Sequence, residues 1–265
     1  MRRGLLTLAF LLGIPTAYGA TLAPETASAF DRYVALTEAR MNADLAAPGK
    51  FFQIAGLPDV RTALRGGETR IQAHVTRDDG KPVHVPGGMI QDWIGAMFIP
   101  GATITRVKAV LQDYEHYKDF YKPEVVESKQ TAHQGDEYDV FLRLFKKQVL
   151  TVVLNTSYHV RYAMPDPLRL IVISHSTRIT QAKDPKHPDA GEEPVGDDTG
   201  FLWRLNSYWR FEEADGGVYA ECEAISLSRD IPGFLAWMVR SFVEKFPKES
   251  MQNTLRGTKA AVSKH

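Results

Sequence analysis

GFLWRLNSYWRFEEADGGVYAECEAISLSRDIPGFLAWMVRSFVEKFPKESMQNTL, residues 200–255, decides the fold. Two runs rich in aromatic and small residues, 201–213 and 217–228, flank Asp215-Gly216-Gly217, a pairing that spells a β-hairpin with a tight turn. With Glu213 opposite Val218, Trp209 faces Cys222, Phe211 faces Ala220, Ser207 faces Ala224 and Leu205 faces Ser226. One face of the hairpin then carries Trp203, Leu205, Trp209 and Phe211. The other carries Arg210 opposite Glu221 and Tyr208 opposite Glu223, both favourable cross-strand pairs. Such alternation predicts an antiparallel sheet with one covered and one more polar face. Beyond Pro232-Gly233, Leu235, Met238, Val239, Phe242 and Phe246 share one stripe of a helix long enough to cover the first face, with Pro247 expected to kink or divide it.

Working back from the hairpin, strand-like runs occupy 124–132, 138–146, 149–162 and 168–181, separated by Gly135-Asp136, Lys146-Lys147 and Pro165-Asp166-Pro167. A turn centred on Pro165-Asp166 places Tyr158, Val160, Tyr162, Ile171, Ile173 and His175 on one face. Met89 to Ile99 reads as a strand closed by Pro100-Gly101, Thr103 to Leu111 as a helix, and Tyr114 to Tyr121 as partly helical. Upstream, Phe30, Tyr33, Thr37 and Met41 recur at helical spacing within 25–46, a short helix follows Pro58, and Ile71 to Val75 forms a weak strand before Asp79-Gly80. Between Ala182 and Gly200, KDPKHPDAGEEPVGDD is acidic, Pro-rich and nearly free of apolar residues, and reads as a mobile surface loop.

Composition narrows the function. Of 265 residues, 32 are Lys or Arg and 32 Asp or Glu, so the basic excess of a nucleic-acid binder is missing. One Cys makes neither an internal disulfide nor a thiolate metal site. Arg2-Arg3, the apolar run Leu5 to Ile14, Pro15 and Ala17-Tyr18-Gly19 have the layout of a secretory signal peptide ending at residue 19. The remainder divides into an N-terminal helical extension, 20–86, and a domain over 87–265. No later run reaches the roughly 18 apolar residues of a membrane span, so the expected product is exported, periplasmic or secreted, with at most transient membrane contact.

The order of strand, two short helices, six meandering antiparallel strands and long C-terminal helix resembles the START-like, or SRPBCC, helix-grip superfamily. GGMIQDWIGAMFIPGATITRVKAVLQDYEHYKDFYKPEV (87–125) is similar to its opening strand and paired helices, and 200–255 to its closing hairpin and grip helix. The resemblance implies an α+β fold in which a curved antiparallel sheet of about seven strands wraps the last helix around an apolar cavity. It implies a carrier of a hydrophobic small molecule such as a lipid, quinone, sterol or polyketide-like compound, with cyclases, dehydratases and hydrolases as the minority activity.

Tyr158, His175, Trp203, Trp209, Met238 and Phe242 are the expected lining residues, and Arg210 the head-group anchor. Asp92 or His175 would serve an enzyme as general acid or base. In a third reading residues 25–46 dock a partner and side chains fill the cavity. No HExxH, GxSxG, P-loop or GxGxxG motif occurs. The 8 His show no metal-ligand spacing with a carboxylate, and no metal or cofactor is expected. Asp197-Asp198 reads as solvated loop rather than a calcium site. Arg204, Arg210, Glu221 and Glu223 are either solvent-facing pairs, the favoured reading, or a buried network. Tyr114, His116, Tyr117, Phe120 and Tyr121 either rim a cavity mouth or belong to the core.

Overall fold

The computed structural model describes residues 19–147, 151–230 and 233–264, and for 233–246 the course of the backbone alone. The order is β1 (Ala20–Thr21), α1 (Pro24–Ala46), α2 (Pro58–Arg65), β2 (Arg70–Ala73), β3 (Arg77–Asp78), β4 (Lys81–Pro82), β5 (Gly88–Pro100), α3 (Ile104–Gln112) and α4 (Tyr117–Phe120). There follow β6 (Val125–Gln134), β7 (Glu137–Lys147), β8 (Thr151–Asp166), β9 (Arg169–Gln181), β10 (Asp197–Asp198), β11 (Arg204–Ala214), β12 (Gly217–Arg229) and α5 (Gly233–Lys264). Eight strands form one antiparallel sheet in the order β2-β5-β12-β11-β9-β8-β7-β6, and α5 runs along its inner face through Pro247 as one element. This is an α+β helix-grip architecture.

The hairpin β11–β12 has the register its turn dictates: Trp209 opposite Cys222, Phe211 opposite Ala220, Glu213 opposite Val218. Asp215 and Gly216 take φ of 54° and 75°, the left-handed pair that a two-residue hairpin turn matching strand twist requires. The hairpin β8–β9 departs from expectation. Asp166 pairs with Arg169, a register shift follows, and Tyr162 then faces Val172 while Val160 faces Ser174. The turn thus lies two residues later than Pro165-Asp166 suggests. A register change of odd parity sends every side chain of one strand to the opposite face. Tyr158, Val160 and Tyr162 share the inner core with Leu170 and Val172, whereas Ile171 and Ile173 pack on the outer side.

Both faces of the sheet are covered. The inner core joins Met97, Ile99, Phe211, Ala220 and Cys222 to Met251, Leu255 and Val262 of α5 and to Val107 and Leu111 of α3. On the outer face α1 buries Thr26, Phe30, Tyr33, Thr37 and Met41, its helical stripe, against Tyr208, Ile225 and Leu227. Phe51, Phe52, Ile54 and Leu64 cap Ile94, Phe98 and Tyr219 beside it. The residue 183–199 stretch, expected to be without structure, contains β10, which pairs with β1 through Ala20–Asp198 and Thr21–Asp197. The acidic pair Asp197-Asp198 is therefore a strand, with Asp198 Oδ1 accepting from the Gly200 amide at 2.6 Å.

Candidate functional site

The inner face changes character along the strands. Towards α3 it is filled: Trp209 stacks on Phe211 with centroids 5.3 Å apart at 6°, and the Tyr114 and Tyr162 hydroxyls lie 2.6 Å apart in the core. Tyr114 is thus core, His116 is exposed, and the Tyr121 hydroxyl meets Thr258 of α5 at 3.0 Å. Elsewhere on this face Trp93, Leu142, Leu205 and Ala224 are only half-buried although their strands are paired on both sides. Trp93 faces Ala224, which faces Ser207; Gln91 faces Ser226, which faces Leu205. Small residues between an indole and a leucine make a trough that has no charged side chain among the described residues, and Gln91 Oε1 accepts from the Trp93 indole at 3.2 Å. Gly95 continues the trough: a Cβ there would sit 2.7 Å from Leu255 and 2.8 Å from Met251 of α5.

Of the residues singled out in the sequence, Tyr158 and Trp209 lie on this inner face, both buried; burial pushes the Tyr158 hydroxyl up to about 12. Met238 and Phe242 lie outside the described side chains. The others are on the opposite face. Trp203, just before β11, packs with Phe30 and Tyr33 rather than with Trp209. His175, displaced by the β8–β9 register, has its Nε2 2.7 Å from Glu38 Oε1 of α1, with the Tyr208 hydroxyl donating to the same oxygen at 2.9 Å. Arg210 and Asp92 are 5% and 4% exposed beneath the N-terminal extension, where neither an anchor nor an acid could reach a molecule in the grip.

Arg210, Glu221 and Glu223 belong to a buried network, not to the solvent-facing pairs favoured from sequence, whereas Arg204 is half-buried and donates to the Trp203 carbonyl at 3.0 Å. Arg40 of α1 donates from Nη2 to both Glu223 oxygens at 2.6 and 2.7 Å and from Nη1 to Gln53 at 2.8 Å. Glu221 accepts the amides of Gln53, Ile54 and Ala55 at 2.7, 2.7 and 2.9 Å. Arg210 donates to the Phe51 carbonyl at 3.0 Å. Tyr33 donates to Asp92 Oδ2 at 2.8 Å and accepts from the Thr76 amide at 2.7 Å. Burial outweighs these partners electrostatically: it raises Glu221 and Glu223, and with the Glu223 carboxylate alongside it pushes Asp92 up to about 8. Burial, then Arg40, lowers His74. The signal for this network was the apolar stripe of 25–46, which had to cover some face. Nothing in the sequence said that it was this one.

No protein-family model and no curated protein sequence matches the chain. Solved structures similar to it include a STAR-related lipid transfer protein from Xanthomonas axonopodis, 16% identical, covering 72% of this chain and 98% of that one, at a TM-score of 0.46. The ZhuI aromatase/cyclase from a Streptomyces species is 11% identical, covering 66% and 94%, at 0.45. Human STARD10 is 10% identical, covering 79% and 80%, at 0.44. All three values lie below 0.5, so the fold rests on the element order and register described above.

Proposed function

We propose that the protein is an exported carrier that holds a hydrophobic small molecule, of lipid, quinone, sterol or polyketide-like character, between the inner face of the sheet and α5. The observation that carries this reading is the half-buried set Trp93, Leu142, Leu205 and Ala224 on the inner face of strands that are paired on both sides. Core positions in mid-sheet close to full burial when side chains alone fill them. An apolar ligand covering about 300 Å² there would gain roughly 7 kcal/mol before association costs. Gln91, Ser207 and Ser226 supply the few polar atoms that orient a mostly apolar ligand. Export is supported by Arg2-Arg3, the Leu5 to Ile14 run and Ala17-Tyr18-Gly19, in residues outside those described. The acid–base alternative has neither Asp92 nor His175 on the inner face.

Native mass spectrometry of the full chain expressed in an exporting host, followed by organic extraction, tests both parts. A stoichiometric apolar mass on a chain shortened by 19 residues is the expected result. A chain that arrives empty and binds no fluorescent fatty acid would overturn the carrier reading, and an uncleaved chain retained in the cytoplasm would overturn export.

A further inference from the structure

Beneath α1, three side chains distant in sequence converge on the outer face: His74 just after β2, Asp92 on β5 and Glu223 on β12. One ligand-type atom from each lies within 4.8 Å of the other two. The backbone enforces this. The His74 amide donates to the Asp92 carbonyl at 2.8 Å, and β5 pairs with β12 so that Asp92 and Glu223 sit diagonally on one face. Asp92 and Glu223 are each 4% exposed; His74 is half-buried and faces the rim of the cluster.

Asp92 Oδ1 is the second, independent observation. It is buried and has no hydrogen-bond partner among the described residues, while Oδ2 takes the Tyr33 hydroxyl. An ionised Asp92 leaves that oxygen without a donor; a protonated one that places its hydrogen there leaves it without an acceptor. Arg40 commits Nη2 to both oxygens of Glu223 and Nη1 to Gln53, while its buried Nε has no partner among the described residues and makes no hydrogen bond to Asp92 Oδ1. Buried carboxylates persist when paired with a cation or bound to a metal, and each carboxylate oxygen has lone pairs for more than one partner.

We infer that His74, Asp92 and Glu223 form a binding site for a divalent first-row transition-metal ion, with one imidazole nitrogen and two carboxylate oxygens as ligands. Zinc sites with His and carboxylate ligands use bonds of about 2.0–2.2 Å, which sets neighbouring donors roughly 3.4 Å apart. Closing from the observed separations, all within 4.8 Å, needs each pair of donor atoms to approach by at most about 1.4 Å. One imidazole with two carboxylates suits zinc, manganese or iron(II) and leaves an outward coordination position at the His74 rim. Bound there, the ion ties β2, β5 and β12 together under the N-terminal helix. The site is on the opposite face from the proposed grip and does not depend on that reading.

The test uses the full chain, stripped with a chelator and titrated with zinc alone. The metal-to-chain ratio is read by elemental analysis after gel filtration, and the melting temperature with and without zinc. One zinc per chain and a zinc-dependent rise in melting temperature are expected. Asp92→Asn and His74→Ala should each lower zinc affinity by about tenfold or more and abolish the rise. Loss in His74→Ala alone suffices should Asp92→Asn not fold, because His74 is only half-buried whereas Asp92 is 4% exposed. His159, beside Asp139 and Glu137, is a surface cluster of similar chemistry, and His159→Ala should change neither readout. A wild-type chain without stoichiometric zinc, retention in His74→Ala, or loss in His159→Ala would each overturn the assignment.

Discussion

Glu221→Gln isolates what fastens the N-terminal extension to the sheet. Glu221 Oε1 accepts from the Gln53 amide and Oε2 from the amides of Ile54 and Ala55, and the side chain is nine-tenths buried. Glutamine keeps the shape but replaces one acceptor by an NH₂. With its oxygen towards Ile54 and Ala55, the NH₂ confronts the Gln53 N–H; flipped, it confronts two donors. Each buried donor left without an acceptor costs about 1–3 kcal/mol, and Arg210, beside the carboxylate, loses a counter-charge. Against this stands the relief of a buried charge, since burial raises the Glu221 carboxyl. Protonation offers the same relief without introducing a donor that can never accept, so the loss should dominate, at about 2–4 kcal/mol. For a chain of this size that is a fall of roughly 5–15 °C in melting temperature. Releasing the 50–57 segment should also expose Lys50, already at the surface, to trypsin. Thermal melts and timed tryptic digests with intact-mass readout measure both. A melting temperature within about 2 °C of wild type, with cleavage after Lys50 unaccelerated, would refute the reasoning.

Three further outcomes follow from the geometry. Asp92 is raised by burial from an ordinary carboxyl to about 8, so its contribution to stability is fully present below pH 4 and is lost as pH rises towards 8; chelator-treated protein should melt progressively lower across that window, Asp92→Asn should flatten the slope, and a melting temperature that climbs with pH would contradict the sign. Ala224→Phe places a ring between Trp93 and Ser207, and should abolish retention of an apolar ligand, read by native mass spectrometry, with little change in melting temperature. Gly257→Ala should destabilise by chemical denaturation despite the helix-propensity gain of about 1 kcal/mol, because the added Cβ would stand 2.8 Å from the Phe120 carbonyl and 2.9 Å from the Tyr121 ring; a gain in stability would show that α4 yields instead.

The sequence carried the element order and one register, and the reason is local. Asp215-Gly216 is a two-residue turn whose left-handed φ values permit a single pairing, so every residue of β11 and β12 found its partner. At β8–β9 the two prolines flanking Asp166 supply no N–H. The closing pair is Asp166–Arg169, which keeps the expected parity, and an irregularity between Ala163 and Asp166 then reverses it. His175 and Ile173 exchange faces with Leu170 and Val172 as a result, which two-residue alternation cannot reveal. The second limit is one of distance along the chain. Arg210, Glu221 and Glu223 look like surface residues on any strand, and only the arrival of Arg40 and the 53–55 amides, some 170 residues earlier, makes them interior. His74, Asp92 and Glu223 show no motif spacing for the same reason.

Covering both faces divides the work of the sheet. On the outer side α1 and the 51–55 segment bury charged groups whose stability depends on every partner being in place, so that face is specific and intolerant of change. The inner side is uncharged through its middle rows among the described residues and packs mainly by shape, with small residues at Gly95, Ala220, Cys222 and Ala224. Apolar packing of this kind tolerates volume-conserving substitution at modest cost. The polar-latched outer layer, built by α1 and the 51–55 segment, thus backs the same strands whose inner face carries the trough.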